Sequence, residues 1–434
     1  MIPSKNYIYG YRNCRKLGLS ICLNPKLRNS THRVVSSQVP AMSPITSGCR
    51  RISPLILHDD LFTQVLLLLP VKSLMQLKCV CKSWNTLISN PTFVELHLQQ
   101  SQRKRQLLLT SVLSYDDNRC FVPLSICRLL SNTSITLACR RLKYTDCSQV
   151  VGSCNGLICL LGQSANKHRA IWFRVWNPAT GNISEKLGSL NKPRKRGSSM
   201  LRYTFGYDIS TGSYKVVGFG TREVKVFGLT DNVWRNLPCV PDNAGIVCWN
   251  NDVNKGEYLS GTINWLAIQN CLQCDKHCEN ISIMRFVIIS LDLGVETYKK
   301  MMPPPDCDQV PFVIEPIIAV LMDCLCFAHH VRTHFVIWKM TQFGVEKSWS
   351  LFLKISYQDL QIDIRFNEKM IYHPLLLSPL CLSENGDKLI LANSNEDQAI
   401  IYNIRDNRVE LTRITNPIQW FLSKNYVESL VPIG

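Results

Sequence analysis

The sequence predicts a small all-α module followed by a large all-β domain. Apolar residues recur at helical spacing between residues 57 and 98. Beyond about residue 110 this spacing disappears, and short apolar strands alternate with Gly, Asn and Asp turns. With 434 residues, of which 46% are apolar, the chain can bury a large core in one big domain beside a small one.

The helical stretch predicts three or four short helices in immediate succession. Leu61, Val65 and Leu69 recur at four-residue spacing and give the first helix one broad apolar face. Pro70 ends this helix, because proline has no backbone N–H to donate and clashes with the preceding turn. The remaining positions are Leu74 and Leu77 on the second helix and Val80, Trp84, Leu87 and Ile88 on the third, before Asn90 and Pro91 open a fourth.

These helices carry more apolar surface than about forty residues can bury by themselves. Residues 66–69 are four consecutive leucines, so at about 3.6 residues per turn their side chains point nearly all round the helix. Two interpretations remain open. Either the helices pack on a neighbouring domain of the same chain, or a separate protein covers them.

Two runs within the helical stretch, LPVKSL at residues 69–74 and CVCKSW at residues 79–84, resemble an F-box of the plant type. The resemblance implies that the module docks on the Skp-family adaptor of a cullin-RING ubiquitin ligase, which would cover its apolar helices. The adaptor-binding residues that it implies are Leu57, His58, Leu61, Val65, Leu69, Pro70, Val71, Leu74, Val80, Cys81 and Trp84.

Two positions depart from this family pattern. His58 stands where a proline usually follows the leading leucine, and Gln64 stands where an acidic residue is common. Both lie in the first-helix region, which contacts the adaptor in this family. They therefore bear on adaptor affinity rather than on the fold.

The formal charge of +17 is concentrated in the N-terminal tail. Residues 1–58 contain nine Lys and Arg residues but no Asp or Glu. This composition is found in organelle transit peptides and in disordered extensions, and a non-functional extension of the gene model is a third alternative. We expect a disordered extension, since a ubiquitin-ligase subunit has its partners in the cytoplasm and nucleus. Because the charge belongs mostly to the tail, it does not indicate a nucleic-acid partner.

The expected domain organisation is a basic extension at 1–52, the F-box at 53–100, a hinge at 101–110 and the β domain at 111–434. No apolar run reaches the roughly 18 to 20 residues that a membrane helix needs, so no membrane partner is expected. The 20 cysteines are scattered through apolar runs, which favours buried thiols in a reducing compartment over disulfides.

The β domain consists of a repeated unit. One half is a tight turn leading into a short apolar strand, as in NGLICL from Asn155 and GTINWLA from Gly261. The other half is a strand, a polar turn and a strand, as in VKVFGLTDNVWRNLP from Val224. Units begin roughly 50 to 60 residues apart, which predicts a kelch-like β-propeller of about six irregular blades. A two-sheet sandwich is the alternative.

Two runs in the β domain, WNPATGNISEKL from Trp176 and FGYDISTGSYKVVGF from Phe205, resemble the F-box-associated domain of plant F-box proteins. That family is often labelled F-box/kelch-repeat. The resemblance covers most of residues 150–415, although the strict double-glycine signature of true kelch repeats is absent.

Motifs for catalysis are missing from the sequence, which has no Gly-rich phosphate loop, nucleophile elbow or metalloprotease helix. The run CLQCDKHC at residues 271–278 could offer zinc four soft ligands, but its compressed spacing favours a polar loop. His329 and His330 are expected at a blade edge rather than on a metal. The basic run at residues 192–196 is either a nuclear-import patch or a solvated loop. We therefore expect no metal and no cofactor.

These observations predict a non-catalytic substrate-recognition subunit of an SCF-type ubiquitin ligase. The F-box would bind the Skp-family adaptor, and loops of the propeller would bind an unknown target protein. Candidate loops are residues 191–199, 269–279 and 303–309. The alternative is a small-molecule sensor or an enzyme built on the propeller, which would need convergent metal-binding or acid–base residues in the bore.

Overall fold

The computed structural model describes residues 59–112, 119–131, 134–138, 146–164, 170–191, 201–220, 223–238, 244–245, 256–269, 280–281, 285–305, 310–311, 316–331, 333–362, 376–394 and 398–433. The predicted extension at 1–52, the Cys/His run at 271–278 and the basic run at 192–196 lie outside these residues. Leu57, His58 and most of the three candidate loops also lie outside them.

The chain divides after Leu68 into two compact units. The division lies inside residues 53–100, which the sequence assigns to a single module. In the first unit the described residues form helix α1 (Asp59–Leu67). Phe62, Leu66 and Leu67 are buried, so the consecutive leucines do point to different sides of the helix, with Leu68 exposed.

Three short helices open the second unit: α2 (Val71–Lys78), α3 (Lys82–Ser89) and α4 (Pro91–Ser101). α2 follows Pro70 directly, and Asn90 caps α4 by accepting the backbone N–H of Thr92 at 2.8 Å. Val80, predicted on the third helix, lies instead in the turn before it. The physical reason is the extended backbone of Cys81, which makes this residue the N-cap of α3.

Six β-sheets follow the helices and form a six-bladed β-propeller. The first three blades consist of β1 (Gln106–Val112) and β2 (Arg119–Ser125) in blade 1; β3 (Cys147–Cys154), β4 (Leu157–Gln163), β5 (Ala170–Trp176) and β6 (Leu187–Asn191) in blade 2; and β7 (Arg202–Asp208), β8 (Ser213–Phe219), β9 (Val224–Gly228) and β10 (Val233–Leu237) in blade 3. The next three consist of β11 (Ala244–Gly245), β12 (Glu257–Leu259), β13 (Thr262–Gln269), β15 (Phe286–Asp292) and β16 (Tyr298–Met301) in blade 4; β18 (Ile317–Leu321), β19 (Cys324–Val331), β20 (His334–Met340) and β21 (Trp349–Ser356) in blade 5; and β22 (Leu377–Leu382), β23 (Lys388–Asn393), β24 (Ile400–Asn403) and β25 (Val409–Leu411) in blade 6. The last strand, β26 (Lys424–Tyr426), returns to blade 1. Outside the blades, α5 (Ile126–Leu130) follows β2, and β14 (Asn280–Ile281) pairs with β17 (Val310–Pro311).

Blade 1 closes the ring with strands from both ends of the β domain. In the other blades the strands form an antiparallel meander. The strand beside the bore contacts the corresponding strands of the two neighbouring blades. In blade 1 the order is β2-β1-β26, so the last strand takes the position beside the bore. Gln106 is the register partner of Ser125 on one side and of Tyr426 on the other. Closure of this kind leaves no blade face exposed at a break in the ring.

The core of the propeller lies between blades rather than inside them. The buried apolar residues form six clusters, one at each interface between neighbouring blades. Alternate side chains of one strand serve opposite interfaces. On β19, Leu325 and Phe327 pack toward blade 4, whereas Cys326 and Ala328 pack toward blade 6. This arrangement confirms the predicted propeller and excludes the two-sheet sandwich.

Tight turns join the two inner strands of several blades, as the repeated sequence unit predicts. The turn residues Asn155 and Gly156 have φ values of 51° and 80°. Ser260 and Gly261 have 47° and 81° in the equivalent turn of blade 4. Two successive positive φ values are typical of type I′ turns, whose twist matches that of the flanking strands.

The propeller has two faces that differ in their connections. β1 begins at the linker from α4, and we call this side of the ring the linker face. Short turns between first and second strands, and between third and fourth strands, lie on the linker face. Some connections between strands include residues outside the described ranges. The strands on either side of such a connection end and start on the opposite face, except where the chain crosses from β2 to β3. The described residues from which the three candidate loops start, at 191, 269 and 303–305, lie on that opposite face.

Two predictions about this region need correction. The hinge expected at 101–110 is narrower, because α4 ends at Ser101 and β1 begins at Gln106, where its residues enter the ring closure. His329 and His330 are not at a blade edge. They lie on β19, the second strand from the bore, and both are buried between neighbouring blades.

Candidate adaptor-binding helices and the bore of the ring

Helix α1 presents an exposed apolar stripe. Leu61, Val65 and Leu68 retain 59%, 51% and 65% of their accessible surface. Their spacing of four and three residues places them on one side of the helix. Exposed large apolar side chains grouped in this way mark an interaction surface. Leu61 and Val65 are among the residues implied by the resemblance, whereas Leu68 is an addition that the same spacing could have revealed.

Val71 and Leu74 of α2 have a different role from the one predicted. Both side chains are fully buried, so they hold the helices together and cannot themselves touch a partner. Pro70 is exposed and Leu69 is half-buried, which leaves both available for contact. The sequence cannot separate these two roles, because all four residues follow the same apolar spacing.

Around α3, Val80 and Cys81 are exposed, and they remain candidates for adaptor contact. Trp84, another adaptor-binding residue implied by the resemblance, is half-buried. Ile88 on the same helix is fully buried and anchors α3. Leu57 and His58 lie outside the described residues.

His97 of α4 is a structural residue that sequence reasoning missed. It is almost fully buried, and its Nε2 lies 2.9 Å from the carbonyl oxygen of Leu69. A carbonyl can only accept, so Nε2 carries the proton, and Nδ1 can accept the Ser101 hydroxyl at 3.4 Å. The bond satisfies the backbone carbonyl of Leu69, directly before Pro70. His97 thereby fixes the start of α2 against α4.

On the linker face, a cavity of about 390 Å³ opens at the mouth of the bore. Linker residues and the ends of the innermost strands line it. Lys424 Nζ lies 2.9 Å from Glu257 Oε1. This ion pair spans the bore, because Lys424 belongs to blade 1 and Glu257 to blade 4, the blade opposite it in the ring. At the rim, Arg105 Nη2 lies 2.7 Å from Asp323 Oδ2. The mouth of the bore therefore carries two cations and two carboxylates in close pairs.

Two buried titratable groups of the propeller, Cys154 and His330, are held in unreactive states. Burial raises the pKa of the Cys154 thiol to about 12, so it stays protonated and is a poor nucleophile. Burial, with a smaller contribution from His329, lowers the pKa of His330 to about 3. The Nδ1 atom of His330 lies 2.7 Å from the Tyr357 hydroxyl. Within the described ranges no three His, Cys, Asp or Glu side chains group as a metal site would require.

None of the helices in the described part of the chain combines the length and the apolar character needed to span a bilayer.

Comparison with known families accounts for both parts of the chain. The family model described as "F-box domain" matches residues 54–96, and the one described as "F-box associated beta propeller domain" matches residues 126–433. The chain belongs to the F-box associated beta propeller family. The matched ranges of this F-box protein contain the exposed stripe of α1 and blades 2 to 6 in full.

Relatives of this F-box protein occur in Arabidopsis thaliana. An F-box/kelch-repeat protein of Arabidopsis thaliana is 28% identical over 320 residues, covering 70% of this chain and 80% of the relative. The F-box protein CPR1 of Arabidopsis thaliana is 22% identical over 396 residues, covering 86% and 88%. Among solved structures, TolB from Acinetobacter baumannii is similar with a TM-score of 0.40, at 11% identity over 74% of this chain and 66% of TolB.

Proposed function

We propose that this F-box protein is the substrate-recognition subunit of an SCF-type cullin-RING ubiquitin ligase. The observation that carries the proposal is the exposed stripe of Leu61, Val65 and Leu68 within the F-box match. An apolar stripe on a short helix is unfavourable in water unless a partner covers it. The Skp-family adaptor is the partner that an F-box implies.

In this role the protein contributes proximity rather than chemistry. The F-box holds the ligase core, and the propeller holds a target protein through contacts of its own. Tethering raises the effective concentration of a target lysine near the loaded conjugating enzyme. Ubiquitin transfer is assigned to the partners, and no cofactor or nucleic acid takes part in the proposal. Such a complex would work in the cytoplasm, the nucleus or both.

The target protein is assigned to the face of the ring opposite the linker. Strand side chains are committed to the six interfaces between blades, so variable recognition has to come from connections. The long connections, including residues 191–199, 269–279 and 303–309, begin on that opposite face. Adaptor and target would then be bound by separate parts of the chain.

The docking half of the proposal is tested by Leu61→Asp combined with Val65→Asp in the full chain. Both side chains are exposed, so the change should leave the fold intact while placing charges in the apolar interface. We expect co-purification with the Skp-family adaptor to fall at least about tenfold. The matched control is Leu411→Asp, an exposed apolar residue of β25 on the outer edge of blade 6. Undiminished adaptor binding by the double variant would overturn the assignment.

The same double variant tests target recognition. It should still bind its target but no longer deliver it for degradation, so the captured target should accumulate relative to wild type. Replacing residues 191–199, 269–279 or 303–309 with a short Gly/Ser linker should leave stability nearly unchanged, because surface loops contribute little to it. At least one replacement should abolish capture. If all three capture the same proteins as wild type, recognition lies elsewhere on the ring.

A small-molecule sensor remains the second candidate function. The observation that favours it is the charged cavity at the mouth of the bore.

A further inference from the structure

The cavity on the linker face has no part in either adaptor docking or loop-based target recognition. Its volume of about 390 Å³ lies within the range of small-molecule sites. Its lining combines side chains from the linker, such as Gln102 and Arg105, with the inner strands β3, β12 and β26. A ligand here would contact the ring and the linker to the F-box helices together.

The paired charges in the cavity retain capacity for further hydrogen bonds. The side chains of Lys424 and Glu257 are 17% and 30% exposed, so both are partly withdrawn from water. An ammonium group has three donors, and Lys424 uses one of them on Glu257 in the described contacts. The Glu257 carboxylate accepts that one bond, with lone pairs left over. Both a cation and an anion are therefore available to a ligand at one point.

The balance of charge selects among ligand classes. Arg105, Lys424, Glu257 and Asp323 sum to zero, so a phosphate or a free metal cation would meet a like charge beside each opposite one. An apolar ligand would remove the charges from water without replacing the lost hydrogen bonds. A molecule with one ammonium and one carboxylate can bond both residues at once, with its charges antiparallel to those of the ion pair.

We propose that the mouth of the bore binds a small zwitterion of the amino-acid or short-peptide class, with its carboxylate on Lys424 and its ammonium on Glu257. Arg105 and Asp323 at the rim supply the second cation and the second carboxylate for a ligand of dipeptide length. Because Arg105 belongs to the linker, an occupied site also ties the linker to the ring.

The test is calorimetric titration of the full-length protein with alanyl-alanine, a zwitterionic dipeptide. Three analogues isolate the charges: N-acetylalanine has only the carboxylate, alaninamide only the ammonium, and N-acetylalaninamide neither. We expect saturable binding of the dipeptide, at least about tenfold tighter than binding of any analogue. Lys424→Met and Glu257→Gln should each weaken it about tenfold or more. Asp406→Asn, which breaks an exposed ion pair with Arg408 in blade 6, is the matched control and should change nothing.

Two further measurements test the site even if one of the single variants fails to fold. The exchanged pair, Lys424→Glu with Glu257→Lys, keeps both charges and should bind the dipeptide again. In the wild type, dipeptide should slow hydrogen exchange of the amides at Asn155 and Gly156, which line the cavity. Equal binding of all four compounds, or no saturation at about 10 mM dipeptide, would overturn the proposal and leave a water-filled bore.

Discussion

A Cβ atom placed on Gly156 would overlap the Oγ of Ser429. Gly156 is in the first turn of blade 2, and Ser429 is in the segment that follows β26. The same segment is held by the buried amide of Asn177, whose Nδ2 donates to the carbonyls of Ser429 and Val431 at 3.1 and 2.9 Å. The glycine therefore leaves room for the C-terminal segment to cross blade 2, in addition to allowing the turn.

Gly156→Ala should destabilise the protein more than Gly181→Ala. Both glycines have φ near +80°, so alanine costs each about 1 to 2 kcal/mol in backbone conformation. Nothing lies within 4 Å of a Cβ on Gly181, whereas Gly156 adds the overlap with Ser429. We expect an extra loss of about 1 to 3 kcal/mol in the free energy of unfolding for Gly156→Ala. Equal losses in urea unfolding would show that the segment after β26 moves aside freely.

Lys215 is predicted to be essential for the junction of blades 3 and 4. Its Nζ lies 3.1 Å from both Asp208 Oδ2 and Glu296 Oε1 and donates to the Leu293 carbonyl. Lys215→Met leaves the buried Asp208 carboxylate without its cation and should cost about 3 to 5 kcal/mol. The control Lys225→Met removes a more exposed pair with Glu223 and should cost about 0 to 1 kcal/mol. Similar melting temperatures for the two variants would contradict this account.

The buried His330 should make the propeller less stable in mild acid. Its pKa is lowered to about 3 by burial, against about 6.5 in an unfolded chain. As pH falls from about 6.5 toward 3, the unfolded state takes up a proton that the folded state refuses, so the free energy of unfolding falls by up to about 1.4 kcal/mol per pH unit.

His330→Gln should therefore flatten the pH dependence of urea unfolding between pH 7 and 5. Asp208 does not obscure this window. Burial alone would raise the pKa of its carboxyl, but hydrogen bonds from Ser210, Thr211 and Lys215 outweigh burial and hold the pKa well below its usual range. Its stabilisation is lost only as pH falls below about 4. A variant slope as steep as the wild-type slope would assign the acid sensitivity to other groups.

His97 is expected to support the adaptor-binding helices without touching the adaptor. His97→Leu removes the hydrogen bond to the Leu69 carbonyl and should cost about 1 to 3 kcal/mol of stability. Adaptor affinity should fall in proportion to the unfolded fraction of the helices and recover at lower temperature. Ser101→Ala, which removes only the longer contact of 3.4 Å, is the control. An affinity loss that persists in a fully folded variant would place His97 in the interface itself.

The repeated turns made the propeller predictable. Asn-Gly at 155–156 and Ser-Gly at 260–261 report local backbone conformation, and their period gives the blade count. The closing strand was not predictable in the same way. β26 has three residues, and its partner β1 is more than 300 positions earlier, so no local pattern joins them. The pairing follows from the geometry of the whole ring.

The candidate sites also differ in how far local sequence predicts them. The apolar stripe of α1 follows from spacing alone, and Leu61 and Val65 are exposed as an interface requires. The separation of Val71 and Leu74 from the contact residues depends on which side of α2 the core occupies, and spacing does not reveal that side. The Lys424–Glu257 pair joins residues 167 positions apart, and nothing in either neighbourhood indicates the other.

The position of β26 has a consequence for synthesis on the ribosome. At about 5 to 20 residues per second, β1 and β2 emerge roughly 15 to 60 s before the strand that completes their blade. During that interval the nascent chain carries two incomplete interfaces, those facing blades 2 and 6, with their leucines and isoleucines in water. The ring is therefore completed only after β26 has emerged, rather than blade by blade. The interval before β26 emerges is when this protein depends most on chaperones that shield apolar surface.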